Sequence, residues 1–239
     1  MRNLDLDSEL DRIVRFIRDY TQGAGFDKLV LGLSGGVDSA VCAALAVRAL
    51  GKEAVTALML PYASSHPDSL TDARDLAERL GINSRVIEIT PMVDAYFHTY
   101  ATHASPLRRG NWMARTRMCV LFDASAELRA LVLGTSNRTE LMVGYFTQFG
   151  DSACALEPIG HLYKTEVWQL ARLLVIPDKI VSKTPTADLW RGQSDEADLG
   201  MPYAELDEII YQLTELDLDP ESSSHLSFPL EQYRRVDKL

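Results

Sequence analysis

A short apolar run ends in a loop whose glycines, hydroxyls and carboxylate suit a phosphate ligand. The run covers residues 29–33, and Ser34-Gly35-Gly36-Val37-Asp38-Ser39 follows it and opens a helical pattern. Adjacent glycines let a phosphate approach the backbone closely, and the Ser34 and Ser39 hydroxyls add donors. A carboxylate beside phosphates, here Asp38, is repelled unless a metal cation lies between them. The loop therefore predicts a site for nucleotide phosphates and Mg²⁺.

This loop differs from the two commoner phosphate-binding patterns. A Walker A loop would continue into Gly-Lys-Ser/Thr, and a dinucleotide-binding loop would show Gly-x-Gly-x-x-Gly; neither follows the strand here. The alternative interpretation is a tight strand-to-helix turn in which Asp38 or Ser39 caps the helix. The complete Ser-Gly-Gly-x-Asp-Ser string, placed between a strand and a helix, favours the phosphate site.

The elements that must position the loop follow from hydrophobic periodicity. Four short runs rich in Val, Ile and Leu predict buried parallel strands, at 28–33, 54–60, 85–89 and 131–134. Helical patterns alternate with them, at 38–50, 68–80, 91–103 and 111–129, behind an amphipathic lead-in helix capped by Asp7 or Ser8. Such alternation predicts an α/β fold, a doubly wound, mostly parallel sheet with helices on both faces. We expect residues 1–239 to form a single domain.

A polar segment near the C-terminal end of the chain separates two further helical patterns. Helices are predicted at 163–174 and 203–216, and residues 183–202 between them mix Pro, Gly, Asp and Ser with little periodicity. Loops this long in compact domains are usually lids or disordered. We expect the segment to be mobile without ligands and to close over the site with substrates bound; the alternative is a permanently disordered linker.

Composition excludes several classes of partner. The formal net charge of -10 argues against a duplex nucleic acid partner, which requires a surface excess of Lys and Arg. No apolar segment approaches the ~20 residues needed to span a bilayer, and no basic start precedes an apolar run, so we expect a cytoplasmic protein without membrane contact. Cys42, Cys119 and Cys154 lack Cys-x-x-Cys spacing and predict small buried side chains rather than disulfides or a zinc site.

Five more segments, together with the phosphate loop, resemble the sequence pattern of a known family. They are Gly110-Asn111 with Ala114-Arg115-Thr116-Arg117, residues 133–140, Gly144-Tyr145-Phe146-Thr147 with Gly150-Asp151, residues 162–167, and residues 184–190 with 193–196. Together with the loop they resemble the ammonia-dependent NAD synthetases, members of the N-type ATP pyrophosphatases, over about residues 28–216. The resemblance implies an adenine nucleotide alpha hydrolase-like fold.

The resemblance also implies a reaction and a set of site residues. The carboxylate of deamido-NAD would attack the α-phosphate of ATP to give an NAD-adenylate and pyrophosphate, and ammonia would then displace AMP. The implied catalytic residues are Asp38, Lys164 and Asp151, and Mg²⁺ would be held by Asp38 and Glu140. The implied ATP contacts are Ser34, Gly35, Gly36, Asp38, Ser39, Arg115, Thr135, Lys164 and Thr186. The resemblance further implies a homodimer with the acceptor at the subunit interface.

Each implied role has a plainer alternative in the sequence itself. Glu140 could be an acid in the first turn of a helix, where the helix dipole favours it. Arg115 and Arg117 could form a solvated stripe; of the two, we select Arg115 as the ATP contact. Lys164 stands at a helix start, where a cation is unfavourable, and this local misfit supports a role in ligand binding.

The acceptor is the least determined part of the reaction. Family members often carry Lys at the position of Gln148 and Asp at the position of Ala155, so the acceptor could be deamido-NAD or another molecule such as nicotinate mononucleotide. Enzymes like the GMP synthetases or tRNA-modifying ATP pyrophosphatases are a further alternative. A non-catalytic nucleotide-binding module is the alternative from another class, although Asp38, Glu140 and Lys164 together speak against it. One domain leaves no room for a glutaminase, so ammonia itself should be the nitrogen donor.

Overall fold

A four-stranded parallel sheet forms the centre of the molecule. The computed structural model describes residues 2–190, 192–223 and 226–239. The strands are β1 (Leu29–Gly32), β2 (Val55–Met59), β3 (Asn83–Val86) and β4 (Leu131–Val132), in the order β3-β2-β1-β4. In the register, Leu29 of β1 lies opposite Val55 on one side and Leu131 on the other. All strand pairs are parallel, which confirms the predicted sheet type.

Helices connect the strands and continue beyond them. α1 (Leu6–Gly23) precedes β1. The helices of the crossovers are α2 (Val37–Leu50), α3 (Pro67–Leu80), α4 (Thr90–Tyr100) and α5 (Pro106–Leu128). Those after β4 are α6 (Arg138–Val143), α7 (Lys164–Leu173), α8 (Asp178–Val181), α9 (Asp195–Leu199), α10 (Tyr203–Thr214) and α11 (Leu230–Val236). No helix within these described ranges is both long and apolar enough to cross a membrane.

The two faces of the sheet are covered by different hydrophobic clusters. Leu29 and Leu31 of β1 pack in a cluster with side chains of α1, α2 and α7, whereas Val30 packs in another with α4 and α5. The alternation follows from the strand geometry, in which successive side chains point to opposite faces. Helices therefore lie on both faces, as predicted for a doubly wound sheet.

Element boundaries differ from the prediction where a local signal was missed. α5 begins at Pro106 rather than at 111, because the Ser105 side chain accepts a hydrogen bond from Arg108 N and caps the helix. α1 is capped by Asp5, not by Asp7 or Ser8; the Ser8 backbone N–H is the donor to that cap. β3 begins at Asn83, since Gly81 ends α3 in the left-handed conformation and the chain pairs with β2 directly afterwards.

Three further expectations need correction. β3 was predicted to be buried, but it is the edge strand of the sheet and is exposed along its length. The segment 183–202 is not irregular throughout, because α9 lies within it. Cys42 is buried as predicted, but Cys119 is exposed and Cys154 is only partly buried, so the expectation of three buried cysteines was wrong for these two. Cys119 lies on the outer side of α5, where its small side chain needs no packing partner.

Candidate active site

An open cavity of about 840 Å³ lies at the carboxyl ends of β1, β2 and β4. Its walls include the loop before α2, the loop between β4 and α6, and part of the 183–202 segment. In open α/β sheets ligands bind at this edge, and helix N-termini present free N–H groups there. The position therefore agrees with the predicted phosphate site.

The Ser34–Ser39 loop has the geometry of an anion cradle. Gly35 has φ +81°, and a Cβ at this position would overlap the Ser69 backbone, so a larger residue is excluded both by conformation and by space. The Ser34 and Ser39 hydroxyl oxygens lie 3.1 Å apart, and the Ser39 hydroxyl donates to the Gly36 carbonyl at 3.0 Å. Gly36 begins α2 without a side-chain cap, which leaves backbone N–H groups for a ligand.

Three charged side chains from three distant segments meet beside this cradle. The Lys164 ammonium lies 2.6 Å from Asp38 Oδ2 and 3.5 Å from Glu140 Oε1. The Lys164 side chain is only 2% exposed. Burial opposes its charge, but attraction to Asp38 and Glu140 outweighs that effect and raises the pKa of Lys164. Burial, in contrast, raises the pKa of Glu140 to about 8 despite the nearby ammonium.

Glu140 both caps α6 and belongs to the charge cluster, because its two carboxylate oxygens have different partners. Its Oε2 accepts a hydrogen bond from Asn137 N at 3.2 Å, and Asn137 Oδ1 accepts one from Glu140 N at 3.0 Å, which forms a capping box at the start of α6. The other carboxylate oxygen faces Lys164. Asn137 also donates through Nδ2 to Asp38 Oδ1 at 3.0 Å. Sequence reasoning missed Asn137, although the Asn-x-x-Glu spacing was a usable signal.

A buried aspartate joins the starts of α6 and α7 and so fixes Lys164. Asp207 accepts hydrogen bonds from Thr139 Oγ1 at 2.5 Å and from Thr165 N at 2.8 Å. Thr139 Oγ1 in turn accepts from Lys164 N at 3.0 Å. These bonds supply partners for N–H groups at the start of α7, where a helix has none of its own. Asp207, on α10, had no distinguishing sequence signal.

Arg115 and Arg117 have different surroundings in the structure. Arg115 is exposed, its Nε donates to the Gln148 carbonyl at 3.0 Å, and it lies outside the cavity lining given by the described residues. Arg117 lines the cavity, and its Nε donates to the Leu60 carbonyl at 3.0 Å. Burial lowers the pKa of Arg117, and no carboxylate in the described part of the chain forms an ion pair with it. Of the two, Arg117 lines the cavity, and the ATP contact of Arg115 stays a prediction.

The remaining implied residues line the same cavity. Thr135 lines it from the loop between β4 and α6, Thr186 from the 183–202 segment, and Asp151 from the segment between α6 and α7. Asp151 Oδ1 accepts a hydrogen bond from Thr147 N at 3.0 Å, which orients the carboxylate. Gln148 is exposed and Ala155 packs against the core; neither lines the cavity among the described residues.

Residues of the 183–202 segment are held across the cavity by a buried carboxylate. Asp195 is 5% exposed, and its Oδ1 accepts hydrogen bonds from Ala187 N at 3.0 Å and from the Tyr145 hydroxyl at 3.1 Å. His66 N donates to Asp188 Oδ2 at 3.0 Å and ties the segment to the start of α3. Arg191 lies outside the described residues. Mobility of this segment stays a prediction.

The carboxylates suit a hard divalent cation that is shared with a ligand. No group of three or more His, Cys, Asp and Glu side chains in the described ranges is arranged to hold a metal alone. Asp38 and Glu140 offer two carboxylates next to the phosphate cradle. Mg²⁺ is commonly bound by one or two carboxylates, with water and substrate phosphates as its other ligands. The residues present therefore fit Mg²⁺ bound together with a nucleotide.

Comparison with known proteins identifies the family. The family model described as NAD synthase matches residues 9–239. The chain belongs to the NAD synthase family. It is thus an enzyme of the ligase type with ATP as co-substrate, and its sheet and flanking helices are those of the adenine nucleotide alpha hydrolase-like fold.

Individual relatives and solved structures are similar to nearly the whole chain. The NH(3)-dependent NAD(+) synthetase of Fusobacterium nucleatum is 54% identical over 213 residues, which are 89% of this chain and 82% of that protein. The NMN synthetase of Francisella tularensis superposes with a TM-score of 0.87 at 31% identity, covering 99% of this chain and 93% of that one. The NH3-dependent NAD synthetase of Campylobacter jejuni has a TM-score of 0.81 at 33% identity, with 99% and 95% covered.

Proposed function

We propose that this NAD synthase family member amidates deamido-NAD with ammonia, driven by cleavage of ATP to AMP and pyrophosphate. The observation that carries the proposal is the Asp38–Lys164–Glu140 cluster beside the glycine cradle, since it offers cationic and metal-binding groups where phosphates would lie. The NH3-dependent NAD synthetases at about 50% identity support the choice of acceptor and nitrogen donor.

In the first half-reaction, a carboxylate oxygen of the acceptor attacks the α-phosphorus of ATP. The bond from that phosphorus to the oxygen bridging the α- and β-phosphates breaks, and pyrophosphate leaves with the electron pair. Negative charge gathers on the phosphoryl oxygens in this step, and cations and N–H donors offset it. We assign the cradle N–H groups, Lys164 and Thr186 to these oxygens. Mg²⁺ held by Asp38 and Glu140 would supply charge neutralisation for the phosphates.

In the second half-reaction, the nitrogen lone pair of ammonia attacks the carbonyl carbon of the acyl-adenylate. AMP leaves with the electron pair of the carbon–oxygen bond, and the nitrogen loses one proton to become the amide. We assign Asp151 as the group near this proton, because it lines the cavity and Thr147 N holds its carboxylate. The 183–202 segment would exclude water, which otherwise hydrolyses an acyl-adenylate.

Amidation of nicotinate mononucleotide is the second candidate. The high structural similarity to the NMN synthetase of Francisella tularensis favours it. The identities favour deamido-NAD, since the NH3-dependent NAD synthetases reach 54% and the NMN synthetase 31%. Both candidates use the same adenylation site and differ only in the acceptor.

The assembly and the cellular location are proposals of the same kind. We propose a homodimer, supported by large apolar side chains that are exposed near the cavity, Met142 at 49% and Phe149 at 71%. We also propose one catalytic domain in the cytoplasm, supported by the family match over residues 9–239. Size-exclusion chromatography with light scattering tests the dimer.

The function is tested by product formation with defined acceptors. The protein is incubated with ATP, Mg²⁺, ammonium and either deamido-NAD or nicotinate mononucleotide, and NAD⁺, NMN, AMP and pyrophosphate are measured. We expect NAD⁺ and AMP in equal amounts, with glutamine unable to replace ammonium and with Asp38→Asn inactive. A rate that rises between pH 7 and pH 8.5 at fixed total ammonium is expected, because NH₃ is the reacting form. Absence of pyrophosphate release with both acceptors would overturn the proposal.

A further inference from the structure

Glu157 is a mostly buried carboxylate that none of the steps above uses. It follows Leu156, which pairs in parallel with Leu133 just beyond β4. Glu157 Oε1 accepts a hydrogen bond from Ser136 N at 2.5 Å, and Oε2 accepts one from Cys154 Sγ at 2.9 Å. Glu157 is not among the described residues that line the cavity. Its partners therefore place it behind the wall that Gly134, Thr135 and Ser136 form.

The chain leaves space for this carboxylate by placing a glycine opposite it. An ideal Cβ at Gly134 would overlap the Glu157 carboxylate, with Cδ only 2.6 Å away. Gly134 does not have a positive φ, so the need for glycine here is one of space. Gly134 N also donates to the Leu156 carbonyl at 2.9 Å. Gly134 and Glu157 thus fit each other, and the fit would be lost by a change at either position.

The Ser136 peptide that Glu157 holds lies between two groups of the candidate site. Thr135, immediately before it, lines the cavity. Asn137, immediately after it, donates to Asp38 and caps α6 in front of Glu140. A peptide plane has fixed geometry, so the bond at Ser136 N sets the direction of the Thr135 carbonyl and constrains the Thr135 side chain. Burial raises the pKa of Glu157 to about 7, and the bond from Ser136 N is strongest when the carboxyl is ionised.

We propose that Glu157 is a positioning residue that holds the loop of residues 133–137 in the conformation that presents Thr135 to ATP. The proposal rests on the proposed function, because Thr135 contacts ATP only if the cavity binds it. Glu157 touches neither substrate nor the reacting atoms. Its removal should therefore weaken ATP binding more than it slows the chemical steps, and it should act through Ser136 N alone.

The first test distinguishes the role of the Glu157 oxygen that accepts from Ser136 N from the role of the rest of the Glu157 side chain. Glu157→Ala removes the acceptor and should raise the KM for ATP about tenfold, with kcat reduced less than threefold, as expected for loss of one buried charge-assisted hydrogen bond. Glu157→Gln keeps an acceptor for Ser136 N and should stay within about threefold of wild-type KM. Cys154→Ala is the matched control, since it removes the other donor to the same carboxylate; its KM for ATP should not change.

The second test is a double-mutant cycle between Gly134 and Glu157. Gly134→Ala should raise the KM for ATP because the methyl group displaces the carboxylate, and the same change in the Glu157→Ala background should add little. Additive effects would overturn the proposal. Melting temperatures are recorded for all variants, and if Glu157→Ala does not fold, Glu157→Gln and Gly134→Ala still decide the question.

The outcomes distinguish this proposal from the proposed function. An unchanged KM for ATP in Glu157→Ala or Gly134→Ala, in an enzyme whose wild type forms NAD⁺, would overturn the positioning role alone. Failure of Glu157→Gln to restore the KM, or an equal increase in Cys154→Ala, would do the same. A wild type that forms neither NAD⁺ nor NMN overturns the function, and ATP affinity measured directly by calorimetry then decides whether Glu157 still shapes the nucleotide site.

Discussion

Replacement of Lys164 by Met tests the central charge cluster, because Met fills the stem of the side chain without its ammonium. The ammonium lies 2.6 Å from Asp38 Oδ2 and 3.5 Å from Glu140 Oε1 and is almost completely buried. Removing one partner of a buried pair costs ~3–5 kcal/mol, since the remaining charge is left without compensation. The two carboxylates are 19% and 16% exposed, which places the expected loss at the lower end, about 3 kcal/mol.

The loss in Lys164→Met should depend on pH with a definite sign. The pKa of Glu140 is about 8 even with the ammonium present, and loss of Lys164 should raise it further. A carboxyl group whose pKa is raised by folding stabilises the fold fully below its unfolded pKa, and this stability is lost as pH rises through the folded pKa. Above about pH 8 the wild type has little more stability to lose from Glu140, whereas Lys164→Met, with the higher Glu140 pKa, continues to lose stability as pH rises. The loss in Lys164→Met should therefore be larger at pH 8.5 than at pH 6.

Differential scanning fluorimetry without nucleotide at the two pH values measures the effect. About 3 kcal/mol corresponds to a fall in Tm of roughly 6–12 °C for a protein of this size. Lys179→Met is the control, because Lys179 is half-exposed and pairs with the exposed Asp75, where an ion pair contributes at most about 1 kcal/mol. Its other partner, the buried Asp72, keeps the ion pair with Lys183 when Lys179 is replaced. Adding Glu140→Gln to Lys164→Met should restore part of the Tm. Equal losses in the two lysine variants, or a loss that is the same at both pH values, would refute the reasoning.

Three other predictions concern the site directly. Asp38→Asn and Glu140→Gln should each reduce pyrophosphate release more than 100-fold while circular dichroism shows a folded protein, because each removes an expected metal ligand; near-normal release would contradict the Mg²⁺ assignment. Arg117→Met should weaken ATP binding in calorimetry about tenfold or more and Arg115→Met less, since only Arg117 lines the cavity; the reverse order would restore Arg115 as the ATP contact. Trypsin should cut after Lys183 quickly without ligands and slowly with Mg²⁺, deamido-NAD and a non-hydrolysable ATP analogue, and equal rates would remove the lid from the mechanism.

Local sequence signals were sufficient for the sheet and the phosphate cradle. The apolar runs gave β1, β2 and β4 within a few residues because parallel strands buried on both faces carry continuous Val, Ile and Leu. β3 lies at the edge of the sheet and is exposed, so its run predicted a strand but not its exposure. The Ser34–Ser39 loop could be placed because its glycines serve a purely local need, shown by the positive φ of Gly35. Strand runs and tight turns depend on residues that are close in sequence, so they can be predicted from a single sequence.

Contacts between distant segments could not be derived in this way. Arg115 and Arg117 stand two positions apart on α5, so they point to different sides, and only packing against β2 decides that Arg117 faces the cavity. Likewise, nothing near Glu157 in sequence indicates that its carboxylate reaches Ser136 N. The resemblance implied site roles for Asp38, Glu140 and Lys164. That their side chains contact one another follows from the fold, which places β1 next to β4 and so brings the segments after these strands together.

The charges around the cavity bear on how ATP enters. Its described lining contains six carboxylates, on Asp38, Glu140, Asp151, Asp188, Asp195 and Asp198, against three cationic side chains, on Arg117, Lys164 and Lys183. A polyanion would be repelled by such a surface unless cations accompany it or carboxylates take up protons. Lys164 alone cannot neutralise the phosphates of ATP, because Asp38 and Glu140 already compete for its ammonium. Binding of ATP with Mg²⁺ would give those carboxylates a new cation and free the ammonium for a phosphate. ATP affinity should therefore rise steeply with Mg²⁺ in the wild type and only weakly in Asp38→Asn, which calorimetry at several Mg²⁺ concentrations can decide.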